Sequence, residues 1–288
     1  MAVSLISLAG AVRAVVGALV LVVGAIVVAS VLGSGLAFLG LMLWLLTIGL
    51  VGVGVLLIAR VGRPIAGAGA IVTAVSLWLA FQYEMPAIVW TVVFLVGIGL
   101  IVRGTAQDSM HVGAWALVIP RVMFGWAWID NAQDHFRSGW LPGGAGGYAQ
   151  IVNGAAGRPA TYFLDPLYQG FLRGTVAPNL DTFAALTICG ELTFGALLAV
   201  GLLTPVAAAG LLWQSLHYVE MKSFVSHGSY TDKVFFAVDL FCLITLVGLS
   251  YGLDASLRHV APAFLRSLMG VPAADEVAAV PEPRPGLA

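Results

Sequence analysis

Residues 186–208 read LTICGELTFGALLAVGLLTPVAA: one acid, Glu191, lies inside an apolar run that ends on Thr204-Pro205 and turns at once into a second run. A run whose one charge is Glu191 is a candidate to span a bilayer. An ionisable group at mid-depth there costs at least about 2.5–3.5 kcal/mol, which makes it a functional-site candidate by default.

Composition carries the same message across all 288 residues: 60% are hydrophobic and 9% charged, too little polar surface to cover a soluble globule of this length. The expected class is an all-α, polytopic integral membrane protein. A net charge of −1 gives no basic patch for nucleic acid, and scattered basic residues give no support for polybasic lipid recognition. Cys189 and Cys242 fall inside apolar runs without C-x-x-C spacing and read as small buried hydrophobes. No basic region precedes Arg13 and no polar cleavage region follows Leu32, so the first helix is expected to stay in the membrane.

The apolar runs divide into about eight helices, expected over 14–32, 36–59, 65–81, 87–102, 113–134, 182–203, 205–222 and 232–251. They suggest two four-helix units, 1–112 and 113–257, followed by a cytoplasmic tail, 258–288, mostly disordered because it is rich in Pro, Ala and Glu from Val271. Faint parallels support a repeat, since Arg13 to Gly17 matches Arg121 to Gly125, and Gly52 to Pro64 matches Gly195 to Pro205. Arg13, Arg60, Arg63, Arg103, Arg258 and Arg266 fall on one side, so the positive-inside rule puts both termini in the cytoplasm of a cell. The loop 135–181 then faces out. It holds the flexible run Gly143 to Gly147 but also Trp140, Tyr148, Tyr162, Phe163, Tyr168 and Phe171, a density that suits an interfacial lid over the C-terminal helices or a plain interfacial loop.

Polarity separates the halves. In the first unit almost nothing ionises, Glu84 being in a turn, whereas the second carries Arg121, Asp130, Glu191, His217, Glu220 and Asp239. At about 1.5 Å per residue, Asp130 sits roughly 7 Å, His217 and Glu220 within about 8 Å, Asp239 about 10 Å and Glu191 about 15 Å below the outer end. Glu191, Asp239, His217, Glu220 and Asp130 are the candidate catalytic residues, with Arg121 and Trp128 as candidate cofactor contacts. If Glu191, Asp239 and His217 meet, at least one carboxyl must hold a proton near neutral pH.

Several explanations fit such a cluster. It can be a structural network locking the bundle, or a redox site where a carboxylate-histidine set exchanges protons with a quinone head group. A metal site is weakly suggested by His217-x-x-Glu220 with acids from facing helices, although that order is the reverse of the di-iron motif. A transporter needs a polar path through the cytoplasmic half, where such groups are scarce. A redox subunit requires a cavity at Glu191; a structural subunit would show paired acids and an apolar face for a partner.

Gly190-Glu191, Gly195, Leu197-Leu198, Gly201 and Thr204 before an Ala-rich helix resemble the glycine-spaced second helix of the DoxX/DoxD family of small prokaryotic membrane proteins. Arg121-x-x-x-Gly125 is similar to the start of that family's first helix, and Tyr251-Gly-Leu-Asp254 to its closing Gly-x-x-Asp element. Gly170-Phe171 and Pro178-Asn179 look DoxD-like. The likeness covers roughly 117–257. Where many members place a lysine, this chain has Asp134-His135. The resemblance implies a membrane subunit of a thiosulfate:quinone oxidoreductase, with quinone as the cofactor and the lipid bilayer and another protein subunit as partners. The chain carries no motif for flavin, haem or an iron-sulfur cluster, and none that specifies a metal. The alternative is a non-catalytic structural or assembly subunit of a larger membrane complex.

Overall fold

The computed structural model describes residues 5–32, 34–82, 86–110, 115–141 and 147–271. The glycines at 143–146, the turn at Glu84, the first residues of the fifth expected helix and the tail beyond Val271 lie outside the described residues.

Among the described residues every regular element is helical. The apolar N-terminal runs form α1 (Leu8–Leu32), α2 (Gly35–Leu56), α3 (Pro64–Gln82) and α4 (Ala87–Thr105). Their ends follow local chemistry. The Ser34 hydroxyl accepts from the Ala37 N–H to start α2, whose last turn widens over Leu57–Val61 and stops at Gly62, with a left-handed φ of 70°. Next come α5 (Trp115–Arg137), the short α6 (Gly147–Gly157) and α7 (Asp165–Phe171), α8 (Leu180–Val200), α9 (Thr204–Met221) and α10 (Tyr230–Ile244). Two short helices, α11 (Leu253–Leu257) and α12 (Ala263–Leu268), close the described chain.

Among the described residues five helical stretches are long and apolar enough to cross a membrane: Leu8–Ala29, Gly35–Val61, Pro64–Gln82, Ala87–Asp108 and Asp165–Val200. That is consistent with a membrane-embedded protein. One expectation changes. The last long helix stops at Ile244 rather than near Tyr251, because the Thr245 hydroxyl donates back to the Phe241 carbonyl at 2.6 Å and Leu246 turns left-handed at φ 47°. Residues 258–270, which precede the stretch expected to be disordered, include α12, which packs on α1, and the buried Met269.

Small residues let the helices approach closely. A Cβ at Gly69 in α3 would lie 2.7 Å from the Gly97 carbonyl in α4, and one at Gly125 in α5 would lie 2.7 Å from the Gly195 carbonyl in α8. One hydrophobic core runs through both halves, from Phe38 and Trp90 to Ala196 and Leu253. A polar bridge crosses the same boundary: Trp90 Nε1 donates to Gln133 Oε1 at 2.7 Å, and Gln133 Nε2 donates to the Ala80 carbonyl at 2.8 Å.

At one end of the bundle two buried charges hold the turns. Arg121 is wholly buried; its Nη1 donates to the Val247 and Ser250 carbonyls at 3.1 and 2.9 Å and its Nη2 to the Tyr251 carbonyl at 3.3 Å. Asp254, equally buried, accepts from the Leu203 and Thr204 N–H groups at 2.8 and 3.1 Å and from the Thr204 hydroxyl at 3.0 Å, capping the start of α9. Gly201 ends α8 at φ 70°, where a Cβ would sit 2.6 Å from Arg121 Nη1. Nearby, Arg63 grips Asp108 through Nε at 2.8 Å and Nη2 at 2.7 Å. Replacing Asp254 by Ala should cost about 3–5 kcal/mol, since it strands three donors and the buried Arg121 charge. Thr204→Val, which deletes one donor, should cost about 1 kcal/mol. Thermal unfolding in detergent measures both, and an unchanged midpoint for Asp254→Ala would mean that other contacts hold this turn.

Candidate functional site

The close approach of α5 and α8 at Gly125 and Gly195 carries the last turn of α5 to Glu191 on α8. Glu191 is wholly buried, and both carboxylate oxygens are engaged. His135 Nδ1 lies 2.9 Å from Oε2, and the Tyr218 hydroxyl donates to Oε1 at 2.7 Å from α9. The His135 side chain is 18% exposed, so an imidazole links the buried acid to the surface. Its ring stacks on Trp140 with centroids 3.7 Å apart, and Trp140 packs on Tyr148 of α6 at 4.8 Å. The lid thus touches the site through aromatic rings.

Asp239 on α10 makes a second, separate site. It is wholly buried, accepting from the Ser215 hydroxyl at 2.5 Å and from Trp128 Nε1 at 3.3 Å. Tyr218 and Trp128, with centroids 6.2 Å apart, stand between the two carboxylates.

Two faces of α9 explain this division. Ser215 and Tyr218, three residues apart, reach the acids of α10 and α8, while His217 and Glu220, also three apart, meet the lid. His217 Nδ1 is 3.1 Å from the Tyr168 hydroxyl, among the rings of Trp213 and Phe171. Glu220 accepts from the Tyr162 phenol, and its carbonyl accepts from Arg158 Nη2 at 2.9 Å. Arg158 also grips Asp165, which accepts from the Thr161 N–H and hydroxyl at 2.6 and 2.8 Å. The Asp165 carboxylate raises the Arg158 pKa above its ordinary value. Burial, then the neighbouring Glu220, pushes the Tyr162 phenol up, so it stays a donor at neutral pH.

The expected carboxylate-histidine set is therefore split. Glu191, Asp239 and His217 do not share one site, because Tyr218 and Trp128 separate the two acids and His217 points to the opposite face of α9. Asp130 is half-buried and takes no part in the hydrogen bonds of Glu191 or Asp239. Arg121, expected to touch a cofactor, is occupied by the carbonyls at the other end of α5, and Trp128 serves Asp239. Among the described residues no group of three or more His, Cys, Asp or Glu side chains is placed to hold a metal ion. The residues that sequence reasoning left out are His135, Tyr218 and Ser215. The spacing of Ser215 and Tyr218 on α9 was a signal for the last two.

Comparison with known proteins gives no match to any protein-family model, characterised protein or solved structure, so the DoxX/DoxD likeness rests on the residues quoted for it.

Asp239→Leu strands the Ser215 hydroxyl and the Trp128 N–H, at about 1–3 kcal/mol for each buried group left unmatched, whereas Asp239→Asn keeps an acceptor at the site. Thermal stability in detergent should therefore rank wild type, Asn, Leu. Equal stability of Leu and Asn would remove the buried polar role assigned to Asp239.

Proposed function

We propose that the chain is a cell-membrane subunit serving quinone-linked oxidoreduction, with Glu191 and His135 as its proton-handling pair. The observation that carries this reading is that Glu191, unlike Asp239, is held by an imidazole that reaches the surface. Ser215 and Trp128 make Asp239 a lock. His135 and Tyr218 instead give Glu191 a route for protons, from Oε2 to His135 Nδ1 and on through a partly exposed ring. A quinone head group supplies two-electron, two-proton chemistry when bound. His135, Glu191 and Tyr218 are the residues that would meet it, and the aromatic lid of Trp140 and Tyr148 would exclude water. Electrons from a reduced sulfur compound would come through a partner subunit, as the DoxD-like residues imply.

A second reading, a non-catalytic assembly subunit, is favoured by α1. Leu19, Val20, Val23 and Val27 are 60, 64, 52 and 58% exposed, a face that suits another membrane protein as well as lipid. Both readings use eight spans as two four-helix units, with both termini in the cytoplasm and α6 and α7 outside.

Two experiments test this. Purified from its native membrane with whatever accompanies it, the protein should reduce a short-chain quinone with thiosulfate. Glu191→Gln should leave insertion and folding intact and lower turnover by about 10²-fold or more, the scale of general acid-base catalysis. Full turnover in that variant makes Glu191 structural; a co-purifying complex without turnover selects the assembly subunit. For topology, a cysteine at Ser138 should react with an impermeant thiol reagent from outside and one at Arg60 should not. The reverse pattern would invert the orientation.

A further inference from the structure

The structure points to a second site, unrelated to Glu191, at the opposite end of α5. We propose that the groove between α4 and α5 binds one anionic phospholipid, its acyl chain along the groove and its phosphate on Arg103.

The groove holds about 660 Å³, within the roughly 300–1,000 Å³ of small-molecule sites. Leu95, Ile98, Val102, Val118, Val122 and Met123 line its length, an apolar channel suited to a hydrocarbon chain. The surface around it is apolar too: Val92, Val96 and Ile119 are each more than half exposed, as expected where a bundle faces lipid. One end is chemically different. There Trp115 and Tyr251 stack with centroids 4.9 Å apart, the kind of aromatic pair found at head-group level. Tyr251 is held for this in a left-handed backbone, φ 54°, unusual for an aromatic residue. Its carbonyl accepts from the buried Arg121 and its N–H donates to Ser109.

Arg103 completes that end. It stands in the last turn of α4, exposed, and among the described residues no carboxylate pairs with it. Arg63, also near this end, differs: Asp108 takes its guanidinium in two bonds. A cation left open beside an apolar groove complements an anionic head group, and basic pockets between membrane helices bind lipids of that kind. An uncharged isoprenoid quinone would fill the groove but leave Arg103 unanswered, so charge favours the phospholipid. The inference needs the chain to be membrane-embedded but not the proton-handling role of Glu191.

The test uses the full chain, delipidated in neutral detergent, with phosphatidylglycerol or phosphatidylcholine added and retained lipid counted by native mass spectrometry. Wild type should retain phosphatidylglycerol about fivefold better, the ratio expected from one basic residue at the membrane surface. Arg103→Gln should abolish the preference without changing lipid-free thermal stability, since among the described residues no carboxylate pairs with Arg103. Gly99→Phe places a ring where a Cβ meets nothing within 4 Å and should reduce retention of both lipids; Ile119→Trp, separately, should do the same. Equal retention of the two lipids by wild type, or an unchanged preference in Arg103→Gln, overturns the head-group assignment. Unchanged retention in both groove variants overturns the acyl-chain assignment. Displacement of phosphatidylglycerol by an equal amount of isoprenoid quinone overturns the choice of ligand. Because no readout is quinone turnover, failure here is distinct from failure of the proposed function.

Discussion

Burying Arg121 is the constraint on which the C-terminal helices depend. A guanidinium without water must find acceptors, and this one finds them in the carbonyls of the turn that follows α10. Asp254, on the far side of that turn, faces the start of α9 with its carboxylate while its own N–H donates to the Gly201 carbonyl. The two groups thus tie the ends of α5, α8, α9 and α10 together around a glycine that leaves no room for a side chain. With that end fixed, the depth of Glu191 on α8 and of Ser215 and Tyr218 on α9 follows from helix geometry. The acid site is a consequence of the lock beneath it.

Helix existence was legible wherever apolar runs were broken by Gly, Pro or Arg. The end of α10 was not legible. Leu246 and Val247 continue the apolar run, so hydropathy passes unbroken through a turn made by a hydroxyl back-bond and a positive φ. The candidate site was legible in part. That Glu191 and Asp239 are buried could be read from charge in apolar runs, but their partners could not, because depth alone does not fix which helix face an acid occupies. His135 and Glu191 are 56 residues apart and on different helices, and nothing local links them.

Polar groups in the second half fall into three kinds by partner. Arg121 and Asp254 meet mainly backbone groups, Asp239 meets a hydroxyl and an indole, and Glu191 meets an imidazole and a phenol. The first two arrangements fix geometry, since none of those partners exchanges protons near neutral pH. Only the third joins a buried acid to a partly exposed imidazole. The lid contacts belong with it: Glu220 and His217 face α6 and α7 from the other side of α9, so the helix that supplies Tyr218 to Glu191 also anchors the segment carrying Tyr148 above His135.

This coupling through α9 bears on how any ligand reaches Glu191. With both its oxygens engaged and Trp140 stacked on His135, an incoming group must displace Tyr218, His135 or the aromatic cover. Tyr218 is fixed between Glu191 and Trp128, which is itself bonded to Asp239, so moving it disturbs a buried network in which each stranded polar group costs about 1–3 kcal/mol. His135 lies in the last turn of α5, where a helix end frays most readily, and its ring is the partly exposed member of the pair. Movement of His135 together with Trp140 is therefore the least costly opening. It would expose Glu191 toward the lid side of the bundle and leave the Asp239 lock intact.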